Sequence, residues 1–304
     1  MSTELTQTSD LTRSGERGLG PPGGYVRFVL LSGARTGSTM LAHALNSHPQ
    51  AMCFGEIFNY TVKGAIDYIV DGYDKTDAEG LALRERDPVE FLRQRIFCHH
   101  PEEVRAVGLK YHYLHFYGFP GALDALIAAE DVRILHLKRR NLLRMFLSLT
   151  MAYETGVWKR ERPGPWLTSR NAGWALRHPL SAAGRLRARL APARPAAAPR
   201  PSVTISEEEL RQFMHETERS IGHYDKLFAA HPRRDIFFEE IEADPQRAFD
   251  AALAFLDLPP SRLQIALERQ HPEPLRKLIE NYDELYERFR DSAHAWMFEE
   301  QLAG

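Results

Sequence analysis

A largely apolar stretch that runs into a small-residue turn and then into an amphipathic helix pattern occupies residues 25–58. The run from Val26 to Leu31 is typical of a buried strand, and apolar residues recur at helical spacing from Met40 to Leu45. The turn between them reads Ser-Gly-Ala-Arg-Thr-Gly-Ser-Thr over residues 32–39. A strand, a glycine loop and a helix start together present backbone N–H groups to an anion. The stretch therefore predicts an anion-binding loop.

The residue types of the loop restrict which anion it binds. Gly33 and Gly37 let the main chain approach an anion closely, and Arg35 adds a permanent cation. A nucleoside-triphosphate loop has a lysine directly after its second glycine, whereas Ser38 holds that position here. This difference argues against an ordinary ATPase or kinase. A P-loop kinase and a non-catalytic nucleotide-binding protein stay as alternatives.

The loop resembles that of a known family. Arg35-Thr36-Gly37-Ser38-Thr39 is similar to the segment that binds the 5′-phosphosulfate of PAPS (3′-phosphoadenosine 5′-phosphosulfate) in sulfotransferases. The resemblance implies that these five residues bind PAPS as the sulfuryl donor.

A second segment carries the same resemblance. An alternating strand pattern over residues 132–137 leads into three consecutive cations and then a helical run from Leu142 to Met151. Arg140 and Ser148 are eight residues apart, roughly two helical turns, so both are expected to face one side of a site. Sulfotransferases hold the 3′-phosphate of PAPS with an Arg and a Ser at this spacing, although here Leu142 replaces the usual proline. Cations at a helix N-terminus oppose the helix dipole unless an anion lies there.

The C-terminal part resembles one branch of the family. The segment from Asp235 to Pro245, the run Leu275 to Asp283, and Ala295-Trp296 are similar to carbohydrate sulfotransferases of the Nod-factor and trehalose kind. The resemblance implies a small-molecule or carbohydrate acceptor. It implies no metal, since a singly charged sulfonate needs no Mg²⁺ bridge.

Two residues compete for the role of general base. Glu56 follows the predicted helix and strand back to the edge of the sheet that carries the loop, and matches the carboxylate base of trehalose-type sulfotransferases. His112 ends the segment Lys110-Tyr111-His112, which resembles the Lys-x-His of the alcohol and steroid sulfotransferases. The C-terminal resemblance favours Glu56. Lys110 is predicted to bind the bridging oxygen of the leaving phosphate.

Length and pattern predict one α/β domain over residues 25–304 of the 304-residue chain. Strand and helix patterns alternate, which favours a P-loop-like three-layer fold with a mainly parallel central sheet flanked by helices. Residues 1–24 are polar and predict a flexible tail. Residues 175–201 are rich in Ala, Pro and Arg and predict a flexible insertion.

Composition excludes several other classes of protein. Lys and Arg number 39 against 41 Asp and Glu, so no nucleic-acid partner is expected. No apolar run is long enough for a transmembrane helix, and the first residues do not resemble a signal peptide. Two cysteines without metal-ligand spacing favour the reducing cytoplasm and no bound metal. A homodimer is left open.

Overall fold

The structure is a computed structural model that describes residues 18–20, 23–158, 202–267 and 270–299, apart from the side chains of residues 116 and 117. Its strands are β1 Val26–Ser32, β2 Ala51–Phe54, β3 Ala106–His112, β4 Arg133–Lys138 and β5 Arg233–Phe237. The α-helices of this part of the chain are α1 Ser38–Asn46, α2 Ala78–Arg86, α3 Pro88–Phe91, α4 Pro120–Ala128, α5 Leu142–Thr155, α6 Glu207–Leu227, α7 Phe238–Ala243, α8 Pro245–Phe255, α9 Leu275–Leu278 and α10 Tyr282–Phe289. A π-helical turn covers Leu92–Ile96, and 3₁₀ helices cover Tyr113–Tyr117 and Ala295–Phe298.

The five strands form one sheet in the order β2-β3-β1-β4-β5, and every neighbouring pair is parallel. Parallel pairing brings all the carboxyl ends to one edge of the sheet. β1 lies in the centre, and its last residue, Ser32, is in register with His112 of β3 and Leu137 of β4. The loop after β1 therefore emerges between the ends of two strands, which is where ligands bind in open α/β sheets.

Apolar cores cover both faces of the sheet. Phe28 and Leu30 of β1 face a core shared with α1 and α8, while Val29 and Leu31 face a core shared with α2, α3 and α4. Strands buried on both sides read as continuous apolar runs, which is the pattern of β1. The predicted α/β fold, with a parallel sheet between helical layers, is confirmed.

The predicted insertion at 175–201 lies outside the described residues, as does most of the predicted tail. The described part of that tail contacts the domain: Leu19 is buried, and Arg27 donates to the carbonyl of Gly20 at 3.0 Å.

Across the described ranges, no helix combines the length and apolar character needed to cross a membrane.

Candidate active site

The loop after β1 has the backbone of a tight anion-binding turn. Arg35 and Gly37 both have positive φ, 59° and 89°, and α1 starts directly afterwards at Ser38. Thr36 donates its hydroxyl to the carbonyl of Gly33 at 3.0 Å, which ties the turn together. The first amides of a helix have no intrahelical acceptor, and α1 has no acidic residue in its first turn. The start of α1 can therefore receive an external anion.

Gly37 is required by both conformation and space, which gives a first prediction. A Cβ on Gly37 would lie 2.6 Å from the ring of Phe238. We expect Gly37→Ala to lower the free energy of unfolding by about 1–3 kcal/mol, measured by chemical denaturation. Gly222→Ala on α6 is the matched control, because a Cβ there meets nothing within 4 Å and should stabilise the helix. Equal stability of the two variants would contradict the argument.

Arg35 is a half-buried cation, and its hydrogen-bond acceptors in the described part of the chain are neutral. Its Nε donates to the Ser148 hydroxyl at 2.9 Å and one terminal nitrogen donates to the Trp158 carbonyl at 2.7 Å. The other terminal nitrogen donates to the side-chain oxygen of Gln270. Burial lowers the pKa of Arg35, and among the described residues no carboxylate pairs with it. A partly desolvated guanidinium whose described acceptors carry no charge favours an anionic ligand.

Lys110 connects the anion loop to Glu56. Its side chain is 6% exposed near the end of β3, and Nζ donates to Thr39 Oγ1 at 2.7 Å and to Glu56 Oε1. Glu56 follows β2, so the neighbouring carboxyl ends of β2 and β3 bring the two residues together. Burial acts to raise the pKa of Glu56, but the Lys110 ammonium outweighs it and lowers the pKa to about 2. Glu56 is thus ionised at neutral pH.

The two histidines of this edge are neutral at the same pH. Burial lowers the pKa of His112 to about 4, and burial has the same effect on His115. His112 Nδ1 accepts the backbone N–H of Leu114 at 3.3 Å. An accepting Nδ1 in a neutral ring leaves the proton on Nε2. His115 Nε2 lies 3.6 Å from Glu56 Oε2.

Ser148 and Arg140 do not meet in the structure. Ser148 lies inside the site against Arg35, whereas the Arg140 side chain is 44% exposed. Arg140 pairs with Glu240 at 2.7 Å and lies 3.7 Å from the centre of the Phe237 ring. Its predicted contact with the 3′-phosphate therefore requires the side chain to leave Glu240.

A carboxylate of the protein lies at the start of α5. The Glu239 carboxylate accepts the backbone N–H groups of Arg140 and Asn141 at 3.0 Å. Asn141 then caps the helix by accepting the N–H of Arg144 at 2.9 Å. The acidic pair Glu239-Glu240 at the start of α7 thus offsets the cations that precede α5.

A cavity of about 780 Å³ joins these groups, within the usual range for ligand sites. Eight predicted site residues line it: Arg35, Gly37, Ser38, Thr39, Glu56, Lys110, His112 and Ser148. Thr36 and Arg140, which were also predicted, are outside its lining. The lining also includes polar residues that were not predicted, among them Asn59, Asp67, His115, Arg139, Arg144, Glu242, Gln270 and His271.

One other polar cluster has the spacing of metal ligands among the described residues. His136, Asp225 and Asp235 place their ligand atoms within 4.8 Å of one another, outside the cavity lining. Lys138 Nζ lies 3.0 Å from Asp225 and 2.7 Å from Asp235. The ammonium group already supplies the positive charge that these carboxylates require.

Known proteins resemble the chain over most of its length. Nodulation protein H of Rhizobium tropici is 25% identical over 276 residues, 90% of this chain and 92% of the relative. Nodulation protein H of Rhizobium meliloti is 24% identical over 278 residues, 90% of this chain and 94% of the relative. The predicted resemblance to Nod-factor sulfotransferases is confirmed.

A solved structure is also similar to the chain over most of its length. A sulfotransferase crystal structure from Alicyclobacillus acidocaldarius covers 91% of this chain and 96% of its own, with a TM-score of 0.45 and 18% identity. No family model matches the chain.

The cavity residues that were not predicted had only weak signals in the sequence. His115 lies in the 3₁₀ helix that follows β3 directly, three positions after His112, and no pattern in the sequence marked it. Gln270 and His271 lie in a stretch without regular secondary structure, 235 residues from Arg35, so their proximity depends on the tertiary fold.

Proposed function

We propose that the protein binds PAPS in the cavity and transfers its sulfuryl group to a hydroxyl of a small-molecule or carbohydrate acceptor, releasing PAP (3′-phosphoadenosine 5′-phosphate). The observation that carries this proposal is the half-buried Arg35 guanidinium, which neutral acceptors hold within the anion loop. The similarity to nodulation protein H over nine-tenths of the chain supports the same reaction class.

The loop chemistry favours a phosphosulfate over a nucleoside triphosphate. Ser38 stands where a triphosphate loop has its lysine, and the cations come from Arg35 and from Lys110 on β3. In this assignment Arg35, the loop amides, and the hydroxyls of Ser38 and Thr39 bind the 5′-phosphosulfate.

The proposed reaction is an in-line displacement at sulfur. The acceptor oxygen forms a bond to sulfur while the bond from sulfur to the bridging phosphate oxygen breaks, and the hydroxyl proton moves to Glu56. Lys110 stabilises the negative charge that develops on the departing phosphate. Positioning and cationic stabilisation supply most of the rate, as in phosphoryl transfer.

Glu56 is better suited than His112 to accept the proton. His112 Nδ1 is engaged by the Leu114 amide, so the neutral ring presents N–H at Nε2 and has no free acceptor nitrogen. Glu56 is ionised, and Lys110 suppresses its basicity while the two are paired. Once Lys110 turns towards the donor, the carboxylate becomes a stronger base.

The proposal for the 3′-phosphate yields a prediction about Arg140. PAP carries this phosphate and 5′-AMP lacks it, so Arg140→Ala should reduce the preference for PAP over 5′-AMP by about 10-fold or more, measured by calorimetry. The physical reason is the loss of a charge-assisted hydrogen bond. Arg144→Ala is the comparison, because Arg144 already lines the cavity. A normal preference in the Arg140 variant and a lost one in the Arg144 variant would reassign the role.

The proposed function is tested by two measurements on the full chain. Calorimetry with PAP and with ATP compares the two nucleotide classes, and PAP is expected to bind at least 10-fold more tightly. Labelled PAPS is then incubated with a panel of sugars, lipids and phenols to detect transfer. Tighter binding of ATP, or PAP binding without transfer to any acceptor, would contradict the proposal.

Cytoplasmic location and a homodimer stay predictions.

A further inference from the structure

The imidazole of His115 is buried beside the proposed base without a full set of hydrogen bonds. It is 6% exposed and lines the cavity, yet its Nδ1 has no hydrogen-bond partner in the described part of the chain. Its Nε2 is 3.6 Å from Glu56 Oε2, just beyond hydrogen-bond distance. A buried polar atom without a partner costs about 1–3 kcal/mol, and this one belongs to a ring in the cavity wall beside the proposed base.

The two oxygens of Glu56 are held by different kinds of donor. Lys110 binds Oε1 and also reaches Thr39, the start of the helix that follows the anion loop. Oε2 instead accepts the Asn59 side-chain amide at 3.0 Å. Asn59 is itself oriented, because its oxygen accepts the Thr61 amide at 3.0 Å. One oxygen is therefore linked to the anion loop and the other to a fixed side chain.

Lys110 Nζ has three N–H groups and uses two of them, for Thr39 and Glu56. An anion in the loop that attracts the ammonium group weakens its hydrogen bond to Glu56. When Lys110 turns to the anion, Oε1 loses its donor while Oε2 keeps Asn59. Catalytic hydrogen bonds that are long in a ligand-free site shorten when the site is loaded. A small shift of the carboxylate towards His115 would bring Oε2 within hydrogen-bond distance of Nε2.

We propose that His115 is a positioning residue for Glu56: with Asn59 it fixes Oε2, so that Oε1 is the oxygen that takes the acceptor proton after the donor has drawn Lys110 away. This inference rests on the proposed sulfuryl transfer. It adds an order of events, because the donor must bind before Oε1 is released.

The charged and titratable groups around Glu56 determine its pKa. Lys110 and His112 face it from β3, and His115 faces it from the 3₁₀ helix. Asp67, in the segment between β2 and α2, acts on His115. Burial keeps both imidazoles neutral near pH 7, so His115 contributes an N–H donor rather than a full charge. A hydrogen bond donated to the carboxylate favours its ionised form and so lowers the pKa of Glu56. Removal of the His115 donor should therefore raise the pKa of Glu56.

The test follows the Glu56 carboxyl by ¹³C NMR in protein labelled at glutamate, with the signal assigned by its loss in Glu56→Gln. PAP is the probe, so no acceptor is needed. In the PAP complex, His115→Ala should raise the pKa of Glu56 by about 1 unit. His115→Gln should restore the wild-type value, because its amide can donate from the position of Nε2. Asn59→Ala should shift the pKa in the same direction and provides a second variant.

The controls separate this inference from the function on which it rests. His215→Ala changes an exposed histidine on α6 and should leave the pKa of Glu56 unchanged. An unchanged pKa in His115→Ala, with normal PAP affinity by calorimetry, overturns the positioning role of His115 alone, whatever Asn59→Ala does. Failure of the wild-type protein to bind PAP overturns the proposed function itself.

Discussion

Replacement of Glu56 by glutamine is expected to lower kcat by about 10²–10⁴-fold while PAP affinity stays near normal. Glutamine keeps the shape of the side chain and can still accept a hydrogen bond from Lys110, but it cannot take a proton at neutral pH. The comparison of kcat with the dissociation constant of PAP isolates this change, because binding and proton transfer are measured separately. The value of kcat is measured with labelled PAPS and an acceptor identified in the panel of sugars, lipids and phenols.

The matched variant is His112→Asn. Asparagine retains a polar group near the Leu114 amide, so the loss of activity should be smaller than for Glu56→Gln. The reverse order would transfer the base to His112. Equal large losses that are not additive in the double variant would indicate that both residues act as one unit.

The pH profile gives an independent check on the base. Glu56 must be ionised to accept a proton, so kcat should rise with pH through the pKa of Glu56 in the donor complex. That pKa should exceed the value of about 2 in the free protein, because Lys110 no longer neutralises the carboxylate. A profile that stays flat across the acidic range in wild type would argue against a carboxylate base.

The ion pair also links stability to pH. The folded-state pKa of Glu56 is below its ordinary value of 4.5. The resulting stabilisation is complete above that ordinary value and is lost as the pH falls from about 4.5 towards 2. Rates at low pH are therefore interpretable only where the wild-type protein and the variant are both folded.

Local patterns explain why much of the fold was predictable from the sequence. The strand, loop and helix around Arg35 are continuous in the chain, so hydrophobic periodicity and two glycines sufficed to locate them. The proximity of Glu56 to Lys110 could also be predicted from the sequence. Both residues lie near the carboxyl ends of strands, and these ends share one edge of a parallel sheet.

Long-range contacts explain what the sequence did not reveal. The sequence did not reveal that the carboxylate of Glu239, 99 residues beyond Arg140, accepts the backbone N–H groups before α5. The Arg140 side chain consequently pairs with Glu240 and lies outside the cavity lining. Spacing along a helix gives the face on which a side chain lies, whereas the residue that this side chain contacts depends on the tertiary structure.

Replacement of Arg35 by alanine is expected to abolish turnover and to weaken PAP binding by roughly 1.5–3 kcal/mol, or about 10- to 150-fold in the dissociation constant. The guanidinium is held by three neutral acceptors, so its charge is available to the ligand in the ground state and in the transition state. Calorimetry with PAP measures the first effect, and transfer from labelled PAPS measures the second. Arg35→Lys should give an intermediate loss, because lysine keeps the charge without the planar fork of donors.

Arg276→Ala is the matched control, since Arg276 is exposed and pairs with Asp283 at the surface. It should change neither PAP affinity nor turnover. Arg35 also donates to the Trp158 carbonyl and to Gln270, so its removal leaves acceptors from two other segments without a donor. Thermal unfolding of each variant therefore accompanies the binding measurements. Near-normal PAP affinity in a folded Arg35→Ala protein would remove the anion-loop assignment, because no other described residue presents a cation from within the loop itself.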